Sequence, residues 1–288
     1  MNITQATLNA ITSNINTSFK KALGKVENNL KGVLYDEQNT TASMEVIKSL
    51  DGFGLMKEFK SERRPGIVGS VITIAKPVKF ERTIDIPRED IEDDNIGYVP
   101  AMVNTVAVAS ERTPLYQTVD ALMKGFTSDM NDGKPFFDTS RGNLQTGALT
   151  AENLEAARTK LANQKDAEGN PLGFIADTLI VGVNNQSAAE KIINAQQIDG
   201  TSNVLYHSLT LVVSPYITDN SWYVLDSKEG VYPMVLVMRV KPDKVVAKDD
   251  ENSDKAFDRD VFSWGTRGRF VPAYHNPKLI VGSAGASA

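Results

Sequence analysis

The sequence predicts an α+β fold in which projecting segments flank a two-part body, and three observations carry that expectation. A long helical stretch runs from residue 99 to 126. Its second piece, TPLYQTVDALMKGF, sets Leu115, Val119, Leu122 and Phe126 three and four residues apart on one face. A strand–helix–strand run over residues 145–226 has the alternation of a compact α/β lobe. Two long strand-forming runs, PMVLVMRVK at 233–241 and KAFDRDVFSWGTRGRFVPAYH at 255–275, then return the chain to the first part.

The long stretch is read as a helix in two segments, broken or bent at Pro114, which suits a first helical position with Thr113 as its cap. Val99, Met102, Val103 and Val106 give the first segment its apolar face. The acidic turn EDIEDDN, from Glu89 to Asn95, is a carboxylate-rich entrance to it. Before that turn, FERTIDIPR is β-like.

The N-terminal residues place Ile11, Ile15, Phe19 and Leu23 at four-residue intervals on a face otherwise rich in Asn, Thr and Ser. Such a helix is marginal alone and needs a docking surface. A neighbouring subunit is the expected one. Val71, Ile72 and Ile74 favour strand among the punctuating Pro65, Gly66 and Gly69, so the region reads as an extended hairpin. From Lys57 to Arg82 it holds seven basic and three acidic residues, a balance of +4. Asp85 to Asp94 holds six acids and one Arg, a balance of -5. The opposite balances make Asp93 and Asp94 the expected partners of Arg63, Arg64, Lys76 and Lys79.

Further along, TSDMNDGKPFFDTSRGN reads as a surface loop. Thr150 caps a helix through Leu161, and DTLIVGV is a buried strand. Ser187 and Glu190 stand at capping-box spacing ahead of a short helix. SLTLVVSPY and SWYVLD are strands. Phe257, Val261 and Trp264 supply apolar anchors in the last long run, and KDDENSDK is an exposed connection.

Composition excludes several classes. A net charge of -5 over 288 residues is unlike a dedicated DNA-binding protein. The absence of cysteine removes disulfides, thiolate nucleophiles and zinc–thiolate sites. The N-terminus lacks the basic start and apolar run of a signal peptide, and no stretch approaches the ~18 apolar residues of a membrane span, so a soluble, cytosolic chain is expected. Asp93-x-Asn95-x-Gly97 lacks the remaining ligands of a calcium loop. His207 and His275 are the only histidines and have no ligand-spaced partner. Nucleophile-elbow and phosphate-binding glycine motifs are missing, and GTRGR at 265–269 marks a bend or bulge. No catalytic, cofactor or metal site is expected.

Several of these runs together resemble the major head subunits of Mu-like phages. They are RTIDIPREDIEDDNIGYVP, the helix ending ALMKGF, GKPFFDT, LTLVVSPYITDNSWYVLD and VVAKDDENSDKAFDRDVFSWGTRGRF, with GFGLMKEF near the start. That family is similar to the HK97-like capsid proteins. The resemblance implies an N-terminal arm (1–50), an extended loop (51–84), a peripheral domain with a spine helix and long strands (85–140 and 227–270), and an axial α/β domain (141–226 and 271–288). It implies hexamers and pentamers of one chain forming an icosahedral shell around double-stranded DNA, held without sequence-specific contacts. Scaffold, portal and decoration proteins are its implied partners, with no membrane and no cofactor. The implied places are the host cytoplasm before assembly and the virion capsid after it. The alternatives are an encapsulin-like compartment shell and an unrelated α/β enzyme.

Overall fold

The computed structural model describes residues 2–50, 70–198, 201–203, 205–228 and 230–285. In chain order these form α1 (Gln5–Ala22), β1 (Tyr35–Asn39), β2 (Glu45–Leu50), β3 (Ser70–Ala75), β4 (Val78–Pro87), α2 (Arg88–Glu92) and α3 (Val99–Lys124). Next come β5 (Leu144–Gln145), α4 (Ala151–Ala162), β6 (Thr178–Gly182), α5 (Val183–Asn194), β7 (Gln197–Ile198) and β8 (Thr201–Ser202). The remainder are β9 (Thr210–Ser214), β10 (Trp222–Leu225), β11 (Met234–Val240), β12 (Val245–Lys248), α6 (Asp254–Arg259), β13 (Val261–Tyr274) and β14 (Ile280–Ser283).

The first body is built on β13, 14 residues long, ten of which pair antiparallel with β4 along one edge, from Val261↔Pro87 to Phe270↔Val78. Along the other edge run β12 and then β11, with β1 parallel to β11 outside them. Alternation sorts the side chains. Phe262, Trp264 and Phe270 face the helices, while Val271 and Ala273 face the opposite side. Helix α3 lies across the inner face. Its first half buries Val99, Val103, Val106 and Ala107 with β4 and β13, and its second half buries Leu115, Val119 and Leu122 in the central core.

The second body is the five-stranded sheet β5-β14-β10-β6-β9, with β6 and β9 parallel and β10 antiparallel to both of its neighbours. The five residues of β6 are all buried because both faces are covered. One face packs Leu179, Val181, Trp222 and Val224 against Leu154, Ala157 and Leu161 of α4 and Ile192 and Ile193 of α5. The other packs Ile180, Tyr223 and Leu225 into the central core, shared with α3, β11 and Phe270. That shared core joins the two bodies.

Five expectations change. Helix α3 is continuous, with Pro114 inside it rather than at a second start. Pro114 leaves the Ser110 carbonyl without its helical N–H, while the flanking Thr113 and Thr118 hydroxyls donate back to the Ala109 and Pro114 carbonyls at 2.7 and 2.9 Å. The acidic turn is not its entrance, since the first turn of α3 holds no acid. Glu89 and Asp90 instead open α2. Helix α5 begins at Val183 with Gly182 as its cap residue, so Ser187 lies inside the helix and forms no capping box. The loop after α3 is anchored by Met130, Phe136 and Phe137, all buried. Finally, residues 254–259 are helical. Ala256 turns inward and Phe257 outward, and Asp260 in the left-handed region (φ 53°) turns the chain into β13.

Residues 1–50, grouped in the sequence as one arm, divide between α1, the edge strand β1 and the stem strand β2. Residues 78–84, grouped with the loop, belong to β4.

Candidate assembly surfaces

Strands β2 and β3 form a two-stranded ribbon with Val46 opposite Ile74 and Lys48 opposite Ile72. Such a ribbon is marginal alone and needs a face to pack on. Ile47 and Ala75 supply it, burying against Val235, Val237 and Ala273 on the outer side of the first body's sheet. Alternation sends Val46, Ile72 and Ile74 the other way, where they are 49%, 40% and 51% exposed. A ribbon with one buried and one exposed apolar face is unusual for a surface element. The two strands lead into residues 51–69, which hold Arg63 and Arg64; those two lie outside the described residues. Lys76 and Lys79 are described, and both are exposed beside the ribbon.

At the far end of β4 and β13 the surface turns acidic. Asp93 and Asp94 are exposed, with Asp94 at φ 56° ending the turn after α2. Asp90 accepts a hydrogen bond from the Tyr98 hydroxyl at 2.6 Å, which fastens α2 to the start of α3. Burial, and then Asp90, push the Tyr98 hydroxyl up to about 12. Asp85 accepts from Ser263 and pairs with Lys255, and Arg88 pairs with Asp260. The Ser263 hydrogen bond foremost, with Lys255 behind it, holds the Asp85 carboxyl below the usual carboxylate range. These contacts fix α2 and α6 side by side at the tip.

The N-terminal residues have a different partner from the one expected. Ile11, Ile15 and Phe19 are 6%, 2% and 1% exposed, seated on α3, β4 and β13 of their own chain. Trp264 Nε1 donates to Thr12 Oγ1 at 2.7 Å, and the Thr12 hydroxyl donates to Asp249 at 2.6 Å. The sequence supplied the helical spacing but not the surface that receives it. A neighbour meeting these three side chains would first have to lift α1 away.

The ring nitrogen Nδ1 of His275 lies 3.1 Å from the Tyr232 carbonyl, and burial holds its pKa below the ordinary value. His207 is exposed. Among the described residues there is no cluster of three His, Asp or Glu side chains able to hold a metal ion, and no helix is long and apolar enough to cross a membrane.

Sequence reasoning missed three cations, Arg239, Arg267 and Arg269, as a group. The run FSWGTRGRF contained the signal: with Phe262, Trp264 and Phe270 on one face, the odd-numbered arginines fall on the other.

A family model described as phage capsid protein matches residues 70–281. The Mu-like prophage FluMu major head subunit of Haemophilus influenzae is 22% identical over 273 residues, covering 95% of this chain and 71% of that one. The procapsid of bacteriophage JBD30 is similar in structure, with a TM-score of 0.62 at 19% identity over 99% of this chain and 77% of that chain. A virus-like particle from Pyrococcus furiosus has a TM-score of 0.54 at 12% identity, covering 95% and 99% of the two chains.

Proposed function

Because this chain belongs to the phage capsid protein family, we propose that its copies assemble as hexamers and pentamers into an icosahedral shell around double-stranded phage DNA. The observation that carries this reading is the ribbon, whose outer apolar face has nothing of its own chain upon it among the described residues. A monomer gains little from such an element, whereas a subunit that must cover several different edges gains an interface. The role is structural rather than enzymatic. A chain of net charge -5 also suits a container that must release its DNA. Scaffold, portal and decoration proteins are its partners in building the shell. The subunit waits in the host cytoplasm and ends in the virion.

Within the shell, the basic loop residues Arg63, Arg64, Lys76 and Lys79 lie against Asp93 and Asp94 of an adjacent copy. Exposed pairs contribute about 0.2–1 kcal/mol each, so they set register more than they add affinity. Asp93→Lys with Asp94→Lys should lower the yield of sedimenting particles, and adding Arg63→Glu with Arg64→Glu should partly restore it at an unchanged melting temperature. If the first pair of changes leaves assembly intact, this pairing is wrong.

The likeness to the virus-like particle favours one second reading, a compartment shell that holds something other than a genome. Nucleic acid extracted from nuclease-treated particles made during phage production separates the two. Protected genome-length DNA supports the first reading.

A further inference from the structure

Four cations share the outer side of the first body's sheet next to the ribbon. Arg267 and Arg269 follow the alternation of Val271 and Ala273, and Lys79 pairs with Arg269 across the β4–β13 ladder. On β11, Arg239 continues the outward alternation of Val235 and Val237 and lies at a bulge, next to the Val240↔Arg269 pair. The Nε atoms of Arg239 and Arg269 are buried and make no hydrogen bond. No ion pair reaches any of the four among the described residues. Glu81, which faces Arg267 across the ladder, accepts a hydrogen bond from Thr83 instead. A buried donor without a partner costs free energy, and clustered cations repel, so this arrangement is incomplete in one copy of the chain.

The opposite end of the same sheet holds the complementary group. Phe257 projects from α6 with 88% of its surface exposed. Glu251, Asp254 and Asp258 are exposed close to it in the chain, with Arg259 exposed beside them and Asp254 3.8 Å from Lys248. The ten paired residues of the β4–β13 ladder separate the two ends, roughly 30 Å at about 3.4 Å per residue. The screening length at 0.1 M salt is about 10 Å. The carboxylates of the tip therefore do not reach the cations of their own copy, where Glu81 across from Arg267 is the near carboxylate on the β4–β13 ladder.

We propose that the α6 tip of one copy docks on the ribbon step of the next. Phe257 covers the exposed Val46, Ile72 and Ile74 face, and the surrounding carboxylates meet Arg239, Arg267 and Arg269. The contact rests on the shell reading above and names one interface within it. It joins two different surfaces, so repeating it runs head to tail, the kind of contact that builds a ring when its rotation closes. An aromatic anchor with a charged rim is also how the strongest interface positions are built.

The natural chain has no cysteine, so introduced thiols report without background. Phe257→Cys is combined in turn with Val46→Cys, Ile72→Cys and Ile74→Cys in the full chain, assembled and mildly oxidised. At least one pair should give a ladder of covalent multimers on non-reducing gels, since a disulfide needs Cα atoms within about 7 Å. Phe257→Cys with Thr105→Cys, on the exposed side of α3, should give none. Normal particles with no ladder from any of the three pairs overturn the contact and leave the shell reading standing. A parent chain that forms no particles removes both. The variant Arg239→Glu with Arg269→Glu should assemble several-fold less well. If it assembles normally but loses binding to a short fluorescent DNA duplex, the cations serve phosphates and the proposal fails.

Discussion

Phe137 ties the two bodies together. It stacks on Phe126 at 4.6 Å, meets Phe136 edge-on at 4.9 Å and lies 5.5 Å from Tyr223. Gly282 of β14 makes room for it, since a Cβ there would sit 2.7 Å from the ring. Gly282→Ala should therefore destabilise the chain by about 1–3 kcal/mol, and Phe137→Ala by about 3–5 kcal/mol, read as lowered melting temperatures. His275 makes the second residue-scale prediction. It sits where β13 leaves for the second body, and its backbone N–H donates to the Pro233 carbonyl. Burial lowers its folded-state pKa, so the unfolded chain binds the proton more readily. Its contribution is complete above the unfolded pKa of about 6.5 and is lost as pH falls through the interval down to the lowered folded value. His275→Gln should flatten the decline of stability below pH ~6.5; an unchanged pH profile would count against this assignment.

At the scale of elements, periodicity was legible and partners were not. Residues 149–161 gave a helix with its cap in place: the Thr150 hydroxyl accepts from the Asn153 N–H at 3.1 Å. The four-residue spacing in α1 was equally clear, yet spacing says only that one face is apolar, not which surface covers it. Phe257 shows the same limit from the other side. An aromatic among charged residues at the start of a strand-forming run reads as an apolar anchor, but the chain is helical there and turns the ring to water. Pro114 reads as a helix start because propensity disfavours it inside, by about 3 kcal/mol; burial of Leu115, Val119 and Leu122 around it outweighs that local cost. Ser187 and Glu190 matched a capping pattern that Gly182 pre-empted by ending β6 directly into α5. Removing residues 1–25 strips Ile11, Ile15 and Phe19 from the core, each worth about 1.5–3 kcal/mol of burial. The truncated chain should melt at a lower temperature, with Trp264 emission shifted to the red. An unchanged transition would show that α1 is dispensable to the subunit.

At the scale of the whole molecule, the sequence carried the α+β class and the ordered runs that mark the family. The outer surface was less legible, because a strand's alternation fixes two faces and leaves open which is covered. Val46, Ile72 and Ile74 became a candidate interface only once Ile47 and Ala75 were seen packed on the sheet. The cations around Arg269 became one group only through the register of three strands. Both surfaces lie on the first body and both lack a partner within the chain among the described residues, which is the physical content of calling this a shell subunit. Electron micrographs of the purified chain, concentrated at low ionic strength, test that claim most directly. Closed or tubular particles are expected, with rings of six in their averages and rings of five at closed vertices. A chain that stays monomeric at high concentration, with no arrays on the grid, would contradict it.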